Sequence, residues 1–138
     1  MPVNADNLKS YKYYVKPVTA GSVIVAGSLC ANVTATGLLV PFVVGDVANY
    51  NRVFVAKTGL DNTLGGAGFV TNQQAVRCVE VYTNPTIMEV DFDAVAAADV
   101  ETPCYGLTAD SFQVAAVGPI VGRILKRYSA TRAEILLA

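Results

Sequence analysis

Three carboxylates at alternate positions, Glu89, Asp91 and Asp93 in "TIMEVDFD", are the residues whose type and spacing most directly suggest chemistry. On a strand, alternate residues share a face about 6 to 7 Å apart, so the three could offer oxygen ligands to a hard cation such as calcium. One ion would need further ligands from neighbouring segments, and a solvated acidic face accounts for the pattern more simply. Paired carboxylates can also hydrolyse glycosidic bonds, but that chemistry needs a cleft with aromatic walls, and the chain has no Trp. It has no His either, which removes Ser-His and Cys-His nucleophile systems and the usual zinc ligand set. The glycine-rich "LGGAGF" has no helix after it and no Lys-Ser/Thr, so it is neither a P-loop nor a dinucleotide fingerprint. No catalytic residue, cofactor site or metal site is assigned on these grounds.

The remaining reactive types are equally uncommitted. Cys30, Cys78 and Cys104 are odd in number and far apart, which fits neither a disulfide framework nor a zinc site and leaves buried reduced thiols. Asn32, Val33 and Thr34 form a glycosylation sequon, read as a chance match because no secretory signal precedes it. Lys9, Tyr11, Lys12, Tyr13, Tyr14 and Lys16 mix aromatic rings with bases. Such a mixture superficially suits single-stranded nucleic acid, yet the sequence pI is about 5.2. Lysines protecting an edge strand explain the same residues, and rings with charge and no obvious place in a core suit a protein contact. These six are the candidate partner-binding residues, with no nucleic acid expected.

Composition sets the frame for these residues. With 138 residues, the chain is long enough for one domain with one core. Apolar residues make up 53% and charged residues 15%, so a folded rather than a disordered chain is expected, together with association with a partner. The longest apolar stretch, residues 38–44, is broken by Pro41 and is far short of the roughly 20 residues of a membrane span. No basic-then-apolar start marks a signal peptide, so the chain is expected to be made and kept inside a cell, with no membrane association. The net charge of −1 hides a segregation: residues 80–110 hold seven acids and no base, while both flanks are net basic. Opposite patches of this kind steer a chain toward a partner or another copy.

The elements that must position these residues read as strands. Residues 1–10 are polar and without period, an arm that a partner would have to hold. "YKYYVKPV" alternates and ends at Pro17, which cannot donate to a ladder, as suits an edge strand. "GSVIVAGSLCANV", "GLLVPFVVGDV" and "NRVFVAKTG" follow as short strands with glycine turns between them. Residues 59–72, rich in Gly and Asn, read as a long surface loop. "AVRCVEVY" and "TIMEVDFD" alternate again, the second with Met88, Val90 and Phe92 opposite its acids. Alanine density after Asp93 predicts one short helix near residues 94–100, with Asp93 as N-cap. "SFQVAAVGPIVGRIL" supplies one or two further strands.

The last seventeen residues, "GRILKRYSATRAEILLA", admit two readings. Thr131 to Glu134 has the form of a capping box. A helix starting there would have about two turns, below the roughly 12 residues at which isolated helices become viable. A hairpin turning at residues 129–131 instead puts Ala133, Ile135 and Leu137 on one face and Arg132 and Glu134 on the other. We take the hairpin. Turn signals every 8 to 15 residues then predict an all-β fold, a small antiparallel β-barrel or β-sandwich. Residues 1–16 form an arm and edge strand, and residues 17–138 a single β-domain.

The second half carries a resemblance. An alternating strand ending in an acidic face, then "DAVAAADVETPCYGL", then "VGPIVGRILKRYSATRAEILLA" resembles the ends of small capsid decoration (cement) proteins of tailed bacteriophages. Those chains tend to place an "AVAAADVG" type segment before a β-region and to finish with a "VGR-apolar-L" strand, a turn and a last apolar strand. The likeness covers roughly residues 75–138 in motif and 18–56 in rhythm only. The chain departs from it in "VETPCYGL", where a glycine is expected soon after "AAADV", and in its tyrosine-rich arm. The resemblance implies a non-enzymatic protein on the outer surface of the assembled, expanded head. There it would bind the major capsid protein, commonly as a trimer with its arm on the shell, and strengthen the head against genome pressure. Alternatives are a tail or fibre accessory protein, or, from another class, a small hydrolase or carbohydrate-binding β-domain using Asp91 and Asp93.

Overall fold

The structure, a computed structural model, describes residues 13–63, 77–83 and 85–138. The expected arm at residues 1–10 and most of the expected loop at 59–72 lie outside the described residues. The fold is all-β and contains a closed five-stranded barrel.

At the C-terminus, β11 (Gly122–Ser129) and β12 (Arg132–Leu137) form the antiparallel hairpin, with Ile124 opposite Ile135 and Arg123 opposite Leu136. Ala133, Ile135 and Leu137 are buried while Arg132 is exposed and Glu134 half-buried, the period of two that a strand imposes. Glu134, which would have closed a capping box, instead accepts a hydrogen bond from the Tyr128 hydroxyl across the hairpin at 2.8 Å.

β12 continues the sheet onto β8 (Ile87–Phe92), and β11 onto β9 (Pro103–Thr108). The short β10 (Ser111–Gln113) closes the cylinder between β9 and β8. Four of these five pairings are antiparallel, and the expectation of a purely antiparallel barrel fails only at β10, which runs parallel to β8 through Ser111–Asp91 and Phe112–Phe92. β10 is the return strand of a tight turn from β9, so its direction is set before it reaches β8. Phe92, Phe112, Cys104, Ile124, Ala133, Ile135 and Leu137 belong to the core here. The Phe92 and Phe112 rings lie 5.9 Å apart and tilted. A barrel of this size is filled by its own side chains rather than holding a channel.

The helix expected near residues 94–100 is a single 3₁₀ turn, Ala97–Asp99. Tertiary contacts hold the preceding residues extended. Val95 is buried, its N–H donates to the Ala130 carbonyl at 2.8 Å, and Arg127 Nε donates to the Val95 carbonyl at 2.9 Å. Asp93 does not cap the turn; its carboxylate accepts the N–H of its neighbour Ala94, and Asp99 takes the N–H of Ala96.

The first half builds a second layer. β3 (Leu29–Val33) lies between β4 (Leu39–Pro41) and β5 (Tyr50–Val55). Four consecutive β3 residues, Leu29, Cys30, Ala31 and Asn32, are buried, because both faces of the sheet are covered. Leu29, Ala31, Val53 and Val55 join the barrel core. Cys30, Leu39 and Phe54 join a second core with Val18, Ile24, Ala56, Val79 and Val81. That second core is roofed by β1 (Tyr13–Pro17) paired with β7 (Cys78–Tyr82), and by β2 (Val23–Ile24) paired with β6 (Leu60–Asp61). β6 corrects the expectation of an unstructured loop from residue 59. Leu60 packs on the second core, and buried Asn62 Nδ2 donates to the Val18 and Thr19 carbonyls. After β4, "VGDVAN" forms a 3₁₀ segment, Val44–Asn49, where a strand was expected. It leaves Val43 and Val44 exposed.

Candidate partner-binding surface

β1 starts at Tyr13 and ends at Pro17, where the missing N–H stops the ladder. The chain then turns inward, and buried Val18 donates its N–H to the Arg77 carbonyl. β1 pairs with β7 along one edge, Tyr13 opposite Tyr82, Tyr14 opposite Val81 and Lys16 opposite Val79. Among the described residues its other edge has no strand partner. Val15, 58% exposed, points away from the core. Lys16 lies half-buried on the opposite face, its Nζ 5.8 Å from the centre of the Phe54 ring. Of the six candidate residues, the strand therefore holds Tyr13, Tyr14 and Lys16 in series. Lys9, Tyr11 and Lys12 lie outside the described residues.

Beside Lys16 is a feature with no signal in the sequence. Arg52 on β5 sits directly opposite Asn32 on β3, and its guanidinium carbon is 4.9 Å from the Phe54 ring centre. These residues and Asn51 line an open recess of about 320 Å³. Arg52 Nη2 donates to the Ala138 oxygen at 2.9 Å, tying the sheet to the end of the barrel. Asn32 is 8% exposed, and its Nδ2 donates to Asn51 Oδ1 at 2.7 Å while its own Oδ1, also buried, has no hydrogen-bond partner. Burial also rules out Asn32 as a glycan acceptor in the folded chain.

The acidic triplet does not act as one group. Glu89 and Asp91 project from β8 toward Arg132 on β12, whose Nε and Nη1 reach Glu89 Oε1 and Asp91 Oδ1. These hydrogen bonds hold the Arg132 guanidinium above its ordinary pKa. Asp93 lies beyond the end of β8 with its carboxylate turned to Ala94. The expected solvated acidic face is thus partly neutralised by one arginine. Among the described residues, no three His, Cys, Asp or Glu side chains are placed to hold a metal ion. A small recess of about 180 Å³ lies beside Glu89, Asp91, Asp110 and Arg132, and Asp93 does not line it.

A larger recess, about 680 Å³, is an open apolar groove between the β4 edge and the 3₁₀ segment, lined by Val33, Val40, Pro41, Val43 and Tyr50 among others. Burial raises the pKa of the Tyr50 hydroxyl, which accepts the Val43 N–H. All three thiols are free. Burial pushes Cys30 and Cys104 up to about 12 and raises Cys78, away from the depressed values of reactive cysteines. Among the described residues no helix is long and apolar enough to cross a membrane. Comparison with protein-family models, with curated proteins and with solved structures finds no significant match.

Proposed function

We propose that this chain is a non-enzymatic capsid decoration (cement) protein that binds the outer surface of an assembled phage head, contacts the major capsid protein, and stabilises the shell. The observation that carries the reading is the edge of β1 that has no strand partner among the described residues. It leads directly from the Lys- and Tyr-rich start of the chain, and it presents exposed Val15, which belongs to neither core. An unpaired edge of this kind is a template for an added strand. A rigid β-module carrying such an edge suits recognition of a composite surface that exists only after assembly. The resemblance of the second half to decoration proteins supports the same role, with trimers as the proposed oligomer and the virion surface as its location.

The test is co-sedimentation of the purified chain with assembled heads and with unassembled capsid subunits from the same source. Saturable pelleting with assembled heads alone, weakened by Val15→Asp while circular dichroism stays unchanged, is the expected outcome. No pelleting with heads, or attachment to tails in a cryo-EM map of intact particles, overturns it.

A further inference from the structure

We infer that the recess bounded by Lys16, Asn32, Asn51, Arg52 and Phe54 takes an aspartate or glutamate side chain of an extended partner segment. An N–H of that segment's backbone is donated to Asn32 Oδ1. For the identity of the partner this rests on the reading of β1 above; for the chemistry of the recess it does not.

Charge is the first ground. Lys16 and Arg52 come from different strands and approach the same Phe54 ring. Neither forms an ion pair with an Asp or Glu side chain among the described residues, where the ion pairs are Lys57–Glu80, Arg123–Glu101 and Arg132 with Glu89 and Asp91. Two cations gathered at one recess repel each other, and a bound carboxylate reverses that term. Arg52 spends one N–H on the Ala138 oxygen; a guanidinium has further donors for a carboxylate.

Asn32 is the second and independent ground. Its buried Oδ1 has lost water and gained no donor, a condition that native structures rarely tolerate without a reason. It lines the same recess as the two cations. A ligand that satisfies everything present must therefore bring both an anionic oxygen and an N–H donor. A nucleic-acid backbone brings acceptors only and leaves Asn32 unpaired; a phosphate ion carries an O–H donor at neutral pH but has no backbone to lie along β1. A peptide with an acidic side chain brings both, and β1, whose Lys16 lines the recess and which has one edge without a strand partner among the described residues, gives an extended segment a place to lie.

The test titrates the full chain with a short capped peptide carrying one central Glu. Controls are the same peptide with Gln, inorganic phosphate, and a short oligothymidylate. Side-chain NMR signals of Asn32, Asn51 and Arg52 are followed. The Glu peptide should shift all three, and both the Gln control and the Arg52→Gln variant should weaken binding by about tenfold, as expected for loss of a charge-assisted contact. Lys16→Gln, which leaves the bond from Arg52 to Ala138 intact, should weaken it similarly should Arg52→Gln fail to fold. No shift with the Glu peptide at millimolar concentration overturns the inference. So do equal shifts with phosphate or oligothymidylate, or binding that both variants leave unchanged. If the peptide binds but heads do not pellet, the recess stands and the shell reading falls. If heads pellet equally with wild type and Arg52→Gln and no peptide binds, the recess falls and the shell reading stands.

Discussion

Glu101 holds a left-handed backbone, φ 71°, while its N–H donates to the Ile124 carbonyl at 2.7 Å. It is the one described residue other than glycine with a positive φ. The conformation is required because the chain must leave the 3₁₀ turn at Ala97–Asp99 and enter β9 within four residues. The hydrogen bond to β11 fixes the path, and the side chain settles for an exposed ion pair with Arg123 at 3.5 Å.

Glu101→Gly should therefore stabilise the fold. A left-handed L-residue costs about 1 to 2 kcal/mol, and glycine returns about 0.5 to 1 kcal/mol of that through its greater unfolded-state freedom. An exposed ion pair contributes little. The expected net gain is roughly 0.5 kcal/mol or more, whereas Glu101→Val, β-branched, should lose more than about 1 kcal/mol. Urea denaturation of the two variants decides it, and a destabilised Glu101→Gly would remove the strain argument.

The two deeply buried thiols predict how stability falls in base. Cys30 and Cys104 ionise near 9 in the unfolded chain and near 12 in the fold, so the folded state binds more protons across that window. Their stabilisation is fully present below pH 9 and is lost as pH rises toward 12, by roughly 1.4 kcal/mol per thiol per pH unit. Denaturant melts between pH 8.5 and about 10.5 should show this slope, and Cys30→Ala with Cys104→Ala should flatten it even though the pair lowers stability overall. An unchanged slope in the double variant would assign the alkaline loss to other groups.

The elements legible in the sequence are those buried on one face. β12 and β8 alternate because each has the core on one side and solvent on the other, so period two survives in the residue types. β3 is covered twice, by the barrel and by the second core, and "LCANV" accordingly carries no alternation to read. The 3₁₀ segment at Val44–Asn49 is apolar enough to pass for a strand, yet Val44 stays exposed while Val47 packs against the core, a spacing of three rather than two. The parallel register of β10 follows from closing a cylinder, which no local pattern encodes. The recess was illegible because Lys16, Asn32 and Arg52 stand on three strands and meet only when β1 crosses the β3–β5 pair. Asn32 in particular read as part of a sequon.

Gly106 on β9 marks where the two layers touch. A Cβ there would lie 2.7 Å from the ring of buried Phe42, whose own neighbour Tyr50 is 6.0 Å away between centres. Gly106→Ala should cost about 1 to 3 kcal/mol, the usual range for overpacking a tight interior. Phe42→Leu, which removes the opposing ring, should be less than additive with it, and a double-mutant cycle by urea melts would measure the coupling. Full additivity would mean that the strand relieves the contact by moving elsewhere.

Ile135 sits opposite Ile124 on one side and Met88 on the other, with none of its surface exposed. Ile135→Asp would place an unpaired carboxylate at the centre of the barrel wall and should destabilise by several kcal/mol, about 3 or more, enough to unfold a marginal domain. Glu134→Lys changes a half-buried residue on the opposite face, where only the Tyr128 hydroxyl is lost as a partner, so the effect should stay near 0.5 kcal/mol. Thr131→Ala should be similarly mild, because Thr131 is exposed and is held through its backbone: its N–H donates to Ser129 Oγ and its carbonyl accepts from Phe92. Were this segment a helix, the order would reverse, with the lost Thr131 cap costing about 1 kcal/mol. Thermal melts of the three variants give the ranking. A Thr131→Ala loss larger than that of Ile135→Asp would undo the hairpin, and with it the β8–β12–β11 wall on which the barrel closes.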